Sequence, residues 1–391
     1  MGEAMQVSSI LNELKMRVSG GGRVDQNDGA ISEIRDGRSD RERRIGKFRQ
    51  ALIWELMALT VLVFFAVNSK ATVETAATGQ DYIKWVDFNV SYEALCRAYQ
   101  WDVDTHGSEH EVNWIELLAY TACRTGAKFD NKALKIINDT AQKLSSGGTT
   151  MEELTADLQY YSYYMEAYTA VLGGMVGEYE AEVQDENGHI NWEKRYGLKA
   201  YFPLARGFDY SHFDDFGTSR SYGYKRKHLG HDMMGLTGTP IIAIESGYVE
   251  ALGWNQYGGW RIGIRSLDGK RYYYYAHLRQ NYPFAENLEE GSLVTAGDVI
   301  GYMGHTGYST KENVNNIEVT HLHWGLELVF DESQKESDNE IWIDVYALTR
   351  FLAKHTQPVQ KVEGTKEWKR TTNIRDLDAE NQADELLPRL N

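Results

Sequence analysis

The sequence predicts a multidomain chain with an N-terminal transmembrane helix, an all-α middle domain and a C-terminal antiparallel β-rich domain. The first of these depends on an apolar run from Ala51 to Val67. The second depends on apolar residues at helical spacing, uninterrupted by any proline before Pro203. The third depends on short β-type runs that alternate with glycine-containing turns after about residue 187.

Composition limits the classes of function. The chain has 391 residues, of which 42% are hydrophobic, so it can bury sizeable cores and is not disordered throughout. Its formal net charge of −16 argues against nucleic acid as a partner, because phosphate binding needs a basic surface. Having only Cys96 and Cys123 excludes a disulfide-dense or cysteine-rich zinc scaffold; the sequence leaves open whether these two form one disulfide.

The apolar run predicts a membrane anchor at residues 51–68. Residues 1–50 are polar and end in a basic cluster, which predicts a cytoplasmic segment in a single-pass protein of the cell membrane, with the later domains extracellular on the cell-wall side. The cluster comprises Arg41, Arg43, Arg44, Lys47 and Arg49. A cleaved signal peptide is one alternative, weakened by a leader far longer than a typical n-region. A buried core helix is the other, although it would not need the basic cluster; Glu55 would be costly in hydrocarbon.

Residues 80–185 are predicted to form the helical domain. Trp114 and Leu118 have helical spacing, and Thr149 with Glu152 is typical of a capping box that opens a further helix. A tyrosine stripe along that helix, best explained by packing, comprises Tyr160, Tyr164 and Tyr168. Nothing in this segment indicates a chemistry, so we expect it to space, dock or regulate the domain that follows.

Residues 190–357 are predicted to form the β-rich domain and residues 358–391 a weakly ordered polar tail. Runs such as GWRIGIRS and DGKRYYYYAHL follow one another at short spacing, which favours antiparallel pairing. Ser266–Gly269 is the predicted turn of one hairpin.

Histidines and carboxylates recur at three places in the β-rich region. They are His228, His231 and Asp232; His277; and His321 with His323. Residues two apart on a strand point to the same face, so His321 and His323 present two imidazoles side by side. Imidazole and carboxylate are good zinc ligands, so this pattern indicates a zinc site; a pair of satisfied core histidines is the alternative. The helix-borne His-Glu-x-x-His motif does not occur.

Six short motifs follow in order over about a hundred residues. They are His228-Leu229-Gly230-His231-Asp232, Gly238-Thr239-Pro240, Gly247-Tyr248-Val249, Tyr275-Ala276-His277-Leu278, Gly301-Tyr302-Met303-Gly304 and His321-Leu322-His323. In this order they resemble the lysostaphin-type (LytM-like) zinc metalloendopeptidases, bacterial enzymes that cut peptides of peptidoglycan. The resemblance covers about a third of the chain. The chain departs from the family pattern at Lys311–Thr320, an Asn- and Glu-rich insertion expected at the rim of a groove, where it would affect substrate preference.

The resemblance implies a role for each of five residues. His228, Asp232 and His323 would bind one zinc ion (Zn2+) per chain, while His321 and His277 would be catalytic histidines that do not bind the metal. Three protein ligands leave a position for water, as a catalytic zinc site requires. The metal would supply the nucleophile and a Lewis acid, and the two free histidines would transfer protons. Which of the two is the base is left open.

Several other residues are weaker candidates. His231 could pass for a ligand, but the family pattern uses His228; His305 fits a solvated turn. Asp214 and Asp215 look like paired carboxylates, yet their segment resembles a family loop that precedes the first ligand.

The predicted function is that of a membrane-anchored peptidoglycan hydrolase, a zinc endopeptidase acting on peptide stems or cross-bridges. Its predicted partners are peptidoglycan, the membrane and proteins of an envelope machine. The alternative is a catalytically inactive wall-binding scaffold or activator within a conjugation, secretion or sporulation machine. Inactive relatives usually lose ligands, whereas this chain keeps all of them, which favours the enzyme.

Overall fold

The computed structural model describes residues 82–86, 88–221, 225–335, 337–377 and 379–381. The predicted cytoplasmic segment, 1–50, and the predicted anchor, 51–68, lie outside these residues and remain predictions. No helix in the described part of the chain is long and apolar enough to cross a membrane.

Helices fill the first part of the described chain. They are α1 (Tyr92–Thr105), α2 (Trp114–Thr125), α3 (Asn131–Ser145), α4 (Met151–Thr155) and α5 (Tyr161–Leu172), with α6 (Tyr346–Leu352) much later. Side-chain caps explain where α2 and α3 begin, because the carboxyl or amide oxygens of Asn113 and Asp130 accept from the first free amides of each helix. The capping box lies one residue later than predicted, at Thr150 and Glu153, and opens only the short α4. Both cysteines are free.

Strands make up most of the remaining chain. They are β1 (Val176–Gln184), β2 (Ile190–Leu198), β3 (Ser211–His212), β4 (Ser219–Ser221), β5 (Lys225–Lys227), β6 (His231–Met234), β7 (Pro240–Ile242), β8 (Gly247–Asn255), β9 (Gly259–Ser266), β10 (Arg271–Ala276), β11 (Leu293–Val294), β12 (Val299–Tyr302), β13 (His321–Leu328), β14 (Ile341–Ile343), β15 (Val359–Lys361), β16 (Trp368–Arg370) and β17 (Ile374–Arg375). The main sheet has the order β11-β8-β9-β10-β13-β6-β3, and β14 also pairs with β13. All pairings in this sheet are antiparallel, which confirms a β-rich C-terminal region preceded by helices.

The predicted hairpin turn at Ser266–Gly269 joins β9 to β10, with the Gly269 amide donating to the Ser266 carbonyl. The predicted boundary at residues 185–190 is wrong, because β1 and β2 form a continuous hairpin across it. The helical run ends earlier, at Leu172. Shortly after this helix end, position 174 requires a glycine, because a Cβ there would overlap the Glu245 carboxylate.

The weakly ordered tail predicted for residues 358–391 is also wrong for its first part. β15 pairs with β16, and β17 pairs with β1. Ile374 is buried. Lys199 and Asp376 are buried too and form an ion pair, with Nζ of Lys199 2.8 Å from Oδ1 of Asp376. These partners are far away in sequence, so polar composition alone does not reveal that this segment packs.

One hydrophobic core runs from the helices into the main sheet. Leu117, Tyr168 and Trp324 are fully buried members of the same cluster. Buried Arg271 links the two regions, donating from Nε to Glu245 at 2.7 Å and from Nη1 to the Ala170 carbonyl in the last turn of α5 at 3.0 Å. The described residues, all of which lie from Tyr82 onward, therefore belong to a single compact unit.

The two faces of the main sheet have different roles. On β13, Leu322, Trp324 and Leu326 are fully buried in the core. Alternation along a strand puts His321 and His323 on the opposite face, which we call the site face.

Candidate metal centre

Three predicted ligands meet at one end of the site face. The pairing of β6 with β13 puts Asp232 directly opposite His323, and His228 lies in the turn just before β6. Nε2 of His228 is 3.0 Å from Oδ1 of Asp232 and 3.0 Å from Nδ1 of His323. Nδ1 of His323 is 2.9 Å from the same Asp232 oxygen. Among the described residues these three form the one group of histidine, cysteine and carboxylate ligands close enough to hold a metal ion.

The chemistry of this triangle fits a cation. Ligand atoms about 2.0–2.1 Å from a tetrahedral zinc lie about 3.3 Å from one another, close to the distances here. Nδ1 of His228 is 3.2 Å from Oδ1 of Asp215, an ion-pair distance although the two groups are not aligned for an ideal hydrogen bond. A proton on Nδ1 leaves Nε2 of His228 with a free lone pair. Two imidazole lone pairs and a carboxylate oxygen this close together repel one another unless positive charge lies between them.

Asp215 and Arg220 surround the triangle, and sequence reasoning missed both roles. Nη2 of Arg220 is 3.1 Å from Oδ2 of Asp232 and also bonds to Oδ2 of Asp215. Arg220 therefore occupies the second oxygen of Asp232 and leaves Oδ1 for the triangle. An outer carboxylate that orients a histidine ligand is a common companion of metal sites, but only the folded loop shows which of the adjacent residues Asp214 and Asp215 it is.

Gly230, in the first motif, makes room for a ligand. A Cβ at this position would lie 2.5 Å from both Cε1 and Nε2 of His323 and 2.9 Å from the Trp324 carbonyl oxygen. The His323 ring thus packs directly on the Gly230 backbone, which fixes its orientation. The small residue between His228 and Asp232 is a steric requirement of the site.

The two predicted catalytic histidines lie beside the triangle. Nδ1 of His321 is 2.8 Å from the Val319 carbonyl oxygen, and Nδ1 of His277 is 3.0 Å from the Thr306 carbonyl oxygen. Because a carbonyl only accepts, each Nδ1 donates and each Nε2 is left as the acceptor. Nε2 of His321 is 3.8 Å from Oδ1 of Asp232. The rings of His277 and His321 have centroids 4.8 Å apart.

His277 adopts an unusual backbone conformation, with φ at 64°. A side chain with a Cβ rarely adopts this region, and such residues often lie at functional sites. The His277 amide donates to the Gly258 carbonyl and the Gly304 amide donates to the His277 carbonyl, so the loops on both sides hold the residue in place.

Electrostatics separates the charges of the site. Burial opposes ionisation of Asp232, but the hydrogen-bonding contacts with His228 and His323 and the nearby imidazoles of His323 and His321 hold the pKa of this carboxyl well below its usual range. Burial, with the neighbouring His321 and His323, holds the pKa of His277 well below its usual value, so this imidazole is neutral near pH 7. Burial also lowers the pKa of His323. Burial opposes protonation of His228, but hydrogen bonding to Asp232 and the charges of Asp232 and Asp215 raise its pKa. Metal ligation needs the neutral imidazole, so a bound metal would displace a proton from His228.

The weaker candidates lie outside the triangle. His231 is opposite Trp324 in the β6–β13 register, on the core side, and its Nε2 is 2.8 Å from Nδ1 of His212. Burial and His212 lower the pKa of His231 to about 3. Nδ1 of His305 donates to the Ile317 carbonyl at 2.7 Å, within the insertion.

The insertion Lys311–Thr320 is anchored beside the site. Oδ1 of Asn313 accepts from the Trp260 indole at 2.9 Å and from the Asn281 amide at 2.9 Å, while its carbonyl accepts from Gln280. These contacts tie the insertion to β9 and to the loop that follows His277. Its expected effect on substrate preference remains a prediction.

The matches to known proteins centre on this region. Residues 226–337 match the model of Peptidase family M23. An L-Ala--D-Glu endopeptidase of Bacillus subtilis (strain 168) is 34% identical over 191 residues, which is 49% of this chain and 54% of that protein. Lysostaphin of Staphylococcus staphylolyticus is 39% identical over 89 residues, 22% of this chain and 18% of that protein. The chain thus matches about half the length of the first relative and about a fifth of the second.

Solved structures give similar matches. A lytM structure from Ruminococcus gnavus ATCC 29149 is 25% identical with a TM-score of 0.47, covering 71% of this chain and 92% of that one. The catalytic domain of lysostaphin from Staphylococcus simulans is 30% identical with a TM-score of 0.28, covering 36% of this chain and 92% of that one. The family match spans β6 and β13, which carry Asp232 and His323, and begins just before His228. Residues 226–337 of this chain are therefore a domain of Peptidase family M23.

Proposed function

We propose that this chain is a zinc endopeptidase that hydrolyses peptide bonds in the stems or cross-bridges of peptidoglycan. The observation that carries the proposal is the triangle of His228, Asp232 and His323, whose ligand atoms lie 2.9–3.0 Å apart with two further histidines beside them. The names of the relatives, an L-Ala--D-Glu endopeptidase and lysostaphin, support a wall peptide as the substrate.

Each side chain has a task that follows from its contacts. Nε2 of His228, Oδ1 of Asp232 and Nδ1 of His323 would hold the zinc ion. When bound, zinc polarises the scissile carbonyl and makes water a nucleophile near neutral pH. Asp215 orients His228, and Arg220 holds the second oxygen of Asp232 away from the ion.

The two remaining histidines move protons. Nε2 of His321 faces the triangle as an acceptor, so it can take a proton from the attacking water. The leaving amine needs a proton in return, and Nε2 of either His321 or His277 can deliver it once protonated. The carbonyls of Val319 and Thr306 keep each ring in the tautomer that this exchange requires.

The setting of the enzyme is proposed from the N-terminal sequence. The apolar run at 51–68 after a basic cluster supports a single-pass anchor with the peptidase region on the wall side. An inactive wall-binding scaffold within an envelope machine is the competing function. The unbroken set of ligand and proton-transfer residues supports the enzyme instead.

The test is digestion of purified peptidoglycans of several cross-link types by the full chain, with the products identified by mass spectrometry. Chelation should abolish new amino termini, and stoichiometric zinc should restore them. His323→Ala should lose both metal and activity, whereas His321→Ala should keep the metal and lose activity. A zinc-loaded chain that leaves every wall type intact would support the scaffold.

A further inference from the structure

Beside the candidate active site, an arginine stacks on an aromatic ring. The guanidinium of Arg226 lies 4.6 Å from the centroid of the Tyr308 ring and 5.8 Å from that of Tyr257. Tyr308 in turn stacks on His277, with centroids 5.9 Å apart and an interplanar angle of 28°. A guanidinium stacked by its face keeps its N–H donors at its edge, where they can reach a ligand.

A second guanidinium belongs to the same face of the main sheet. Arg261 lies on β9 two residues before Gly263, which pairs with Tyr274 on β10. Residues two apart share a face, so Arg261 and Tyr274 lie on the site face. The Tyr274 ring is 6.0 Å from the His323 ring. Burial raises the pKa of Tyr274, and the nearby charges of Arg261 and Arg226 both oppose that rise.

Several arginines in this part of the chain already have anionic partners. Arg220, Arg265 and Arg271 each pair with one or more carboxylates. Neither Arg226 nor Arg261 forms an ion pair or side-chain hydrogen bond with any described residue, although the chain carries a net charge of −16. Both are half-buried. Two half-buried guanidiniums without anionic partners on the same side of the molecule as the site histidines are suited to bind an anion from outside.

We propose that Arg226 and Arg261 form a subsite for a free carboxylate of the substrate peptide, close to the bond that is cut. This deepens the proposed function and rests on it. The ligand class is an acidic peptide, such as one in which a γ-linked glutamate leaves its α-carboxylate free. Tyr308 and Tyr274 hold the subsite against His277 and His323, so a carboxylate bound there fixes the position of the scissile bond.

The test compares two peptides that differ in one group. Alanyl-γ-glutamyl-lysine is used with the glutamate α-carboxyl free or as the carboxamide, and binding to the zinc-loaded full chain carrying His321→Ala is measured by calorimetry. We expect about tenfold tighter binding of the carboxylate peptide, as for one hydrogen-bonded charge pair. Arg226→Gln and Arg261→Gln should each reduce this preference, and Arg226→Lys should retain part of it.

Arg375→Gln is the matched control. Arg375 also stacks on an aromatic ring, 4.0 Å from the centroid of Trp192, but belongs to the separate sheet of β17, β1 and β2. Its replacement should leave the preference unchanged. Equal binding of the two peptides, no binding of either, or a preference that survives both glutamine variants would overturn the proposal.

Digestion of peptidoglycan by the chain without substitutions distinguishes a failure of this inference from a failure of the proposed function. Digestion without a carboxylate preference would refute the subsite alone. A carboxylate preference without digestion would refute the peptidase and leave the subsite standing.

Discussion

Replacing Gly230 by alanine tests how the fold builds the candidate metal centre. A Cβ at this position would lie 2.5 Å from Cε1 and Nε2 of His323, and the Trp324 carbonyl on the other side is 2.9 Å away. Carbon atoms in contact prefer about 3.5 Å or more, so the ring would have to move by about 1 Å. Its Nδ1 would leave the position 3.0 Å from His228 and 2.9 Å from Asp232.

Disturbing the support of a metal ligand typically costs about 10- to 100-fold in metal affinity. We expect a loss of this size in the zinc affinity of Gly230→Ala, measured by competition with a chromophoric chelator. A displacement of about 1 Å at the reacting centre should also lower kcat for wall digestion about 100-fold. Because the substitution adds only one methyl group, the far-ultraviolet circular dichroism spectrum should be unchanged.

Gly148→Ala is the control, since a Cβ there meets nothing closer than 3.4 Å. It should keep full zinc affinity and activity. If Gly230→Ala binds zinc as tightly as the unaltered chain and digests walls at the same rate, the packing of His323 on this glycine does not position the ligand.

Three further predictions concern charges around the core and the site. Asp215→Asn should weaken zinc binding about 10- to 100-fold in the same competition assay, because it removes the carboxylate charge that faces His228. It also weakens the partly exposed ion pair with Arg220, so the chelated chain should lose no more than about 1 kcal/mol of stability; an unaltered zinc affinity would exclude the orienting role. Burial, with the charge of Glu340, raises the pKa of Glu327 from 4.5 to about 7. The stability that the protonated Glu327 contributes is therefore fully present below about pH 4, and it is lost as the pH rises through 7. Glu327→Gln should remove this loss of about 3 kcal/mol, which urea unfolding at pH 4 and pH 8 would measure. If the free energy of unfolding fell by the same amount between the two pH values in the variant and in the unaltered chain, the reasoning would be contradicted. Arg271→Leu should destabilise the fold by about 3–5 kcal/mol because it leaves the buried Glu245 carboxylate unpaired; the double variant with Glu245→Leu should recover much of that loss, and no recovery would argue against an unpaired charge as the cause.

The periodicity of the strand backbone allowed part of the candidate site to be predicted from the sequence. Side chains alternate along a strand, so the spacing of His321 and His323 put both rings on one face whatever the rest of the fold did. The turn chemistry of Ser266–Gly269 likewise predicted the β9–β10 hairpin, since a short glycine-containing turn has few alternatives. The Gly230 position in the first motif is explained by the ring that it accommodates.

Other features were decided by contacts between distant parts of the chain. The selection of Asp215 over Asp214 depends on where a loop closes on His228. The ordered structure of residues 359–375 depends on the pairing of β17 with β1, which lies almost two hundred residues earlier. The link between helices and sheet depends on Arg271 reaching both Glu245 and the end of α5.

The sequence by itself therefore determined which residue types could form the candidate metal site and which of them share a strand face. Tertiary structure alone decided which partners orient those residues, where the helical region ends and how it packs on the sheet. The physical reason is range: strand alternation and turn preference are properties of a few neighbouring backbone units, whereas ion pairs and packing depend on distances between residues that the whole fold brings together.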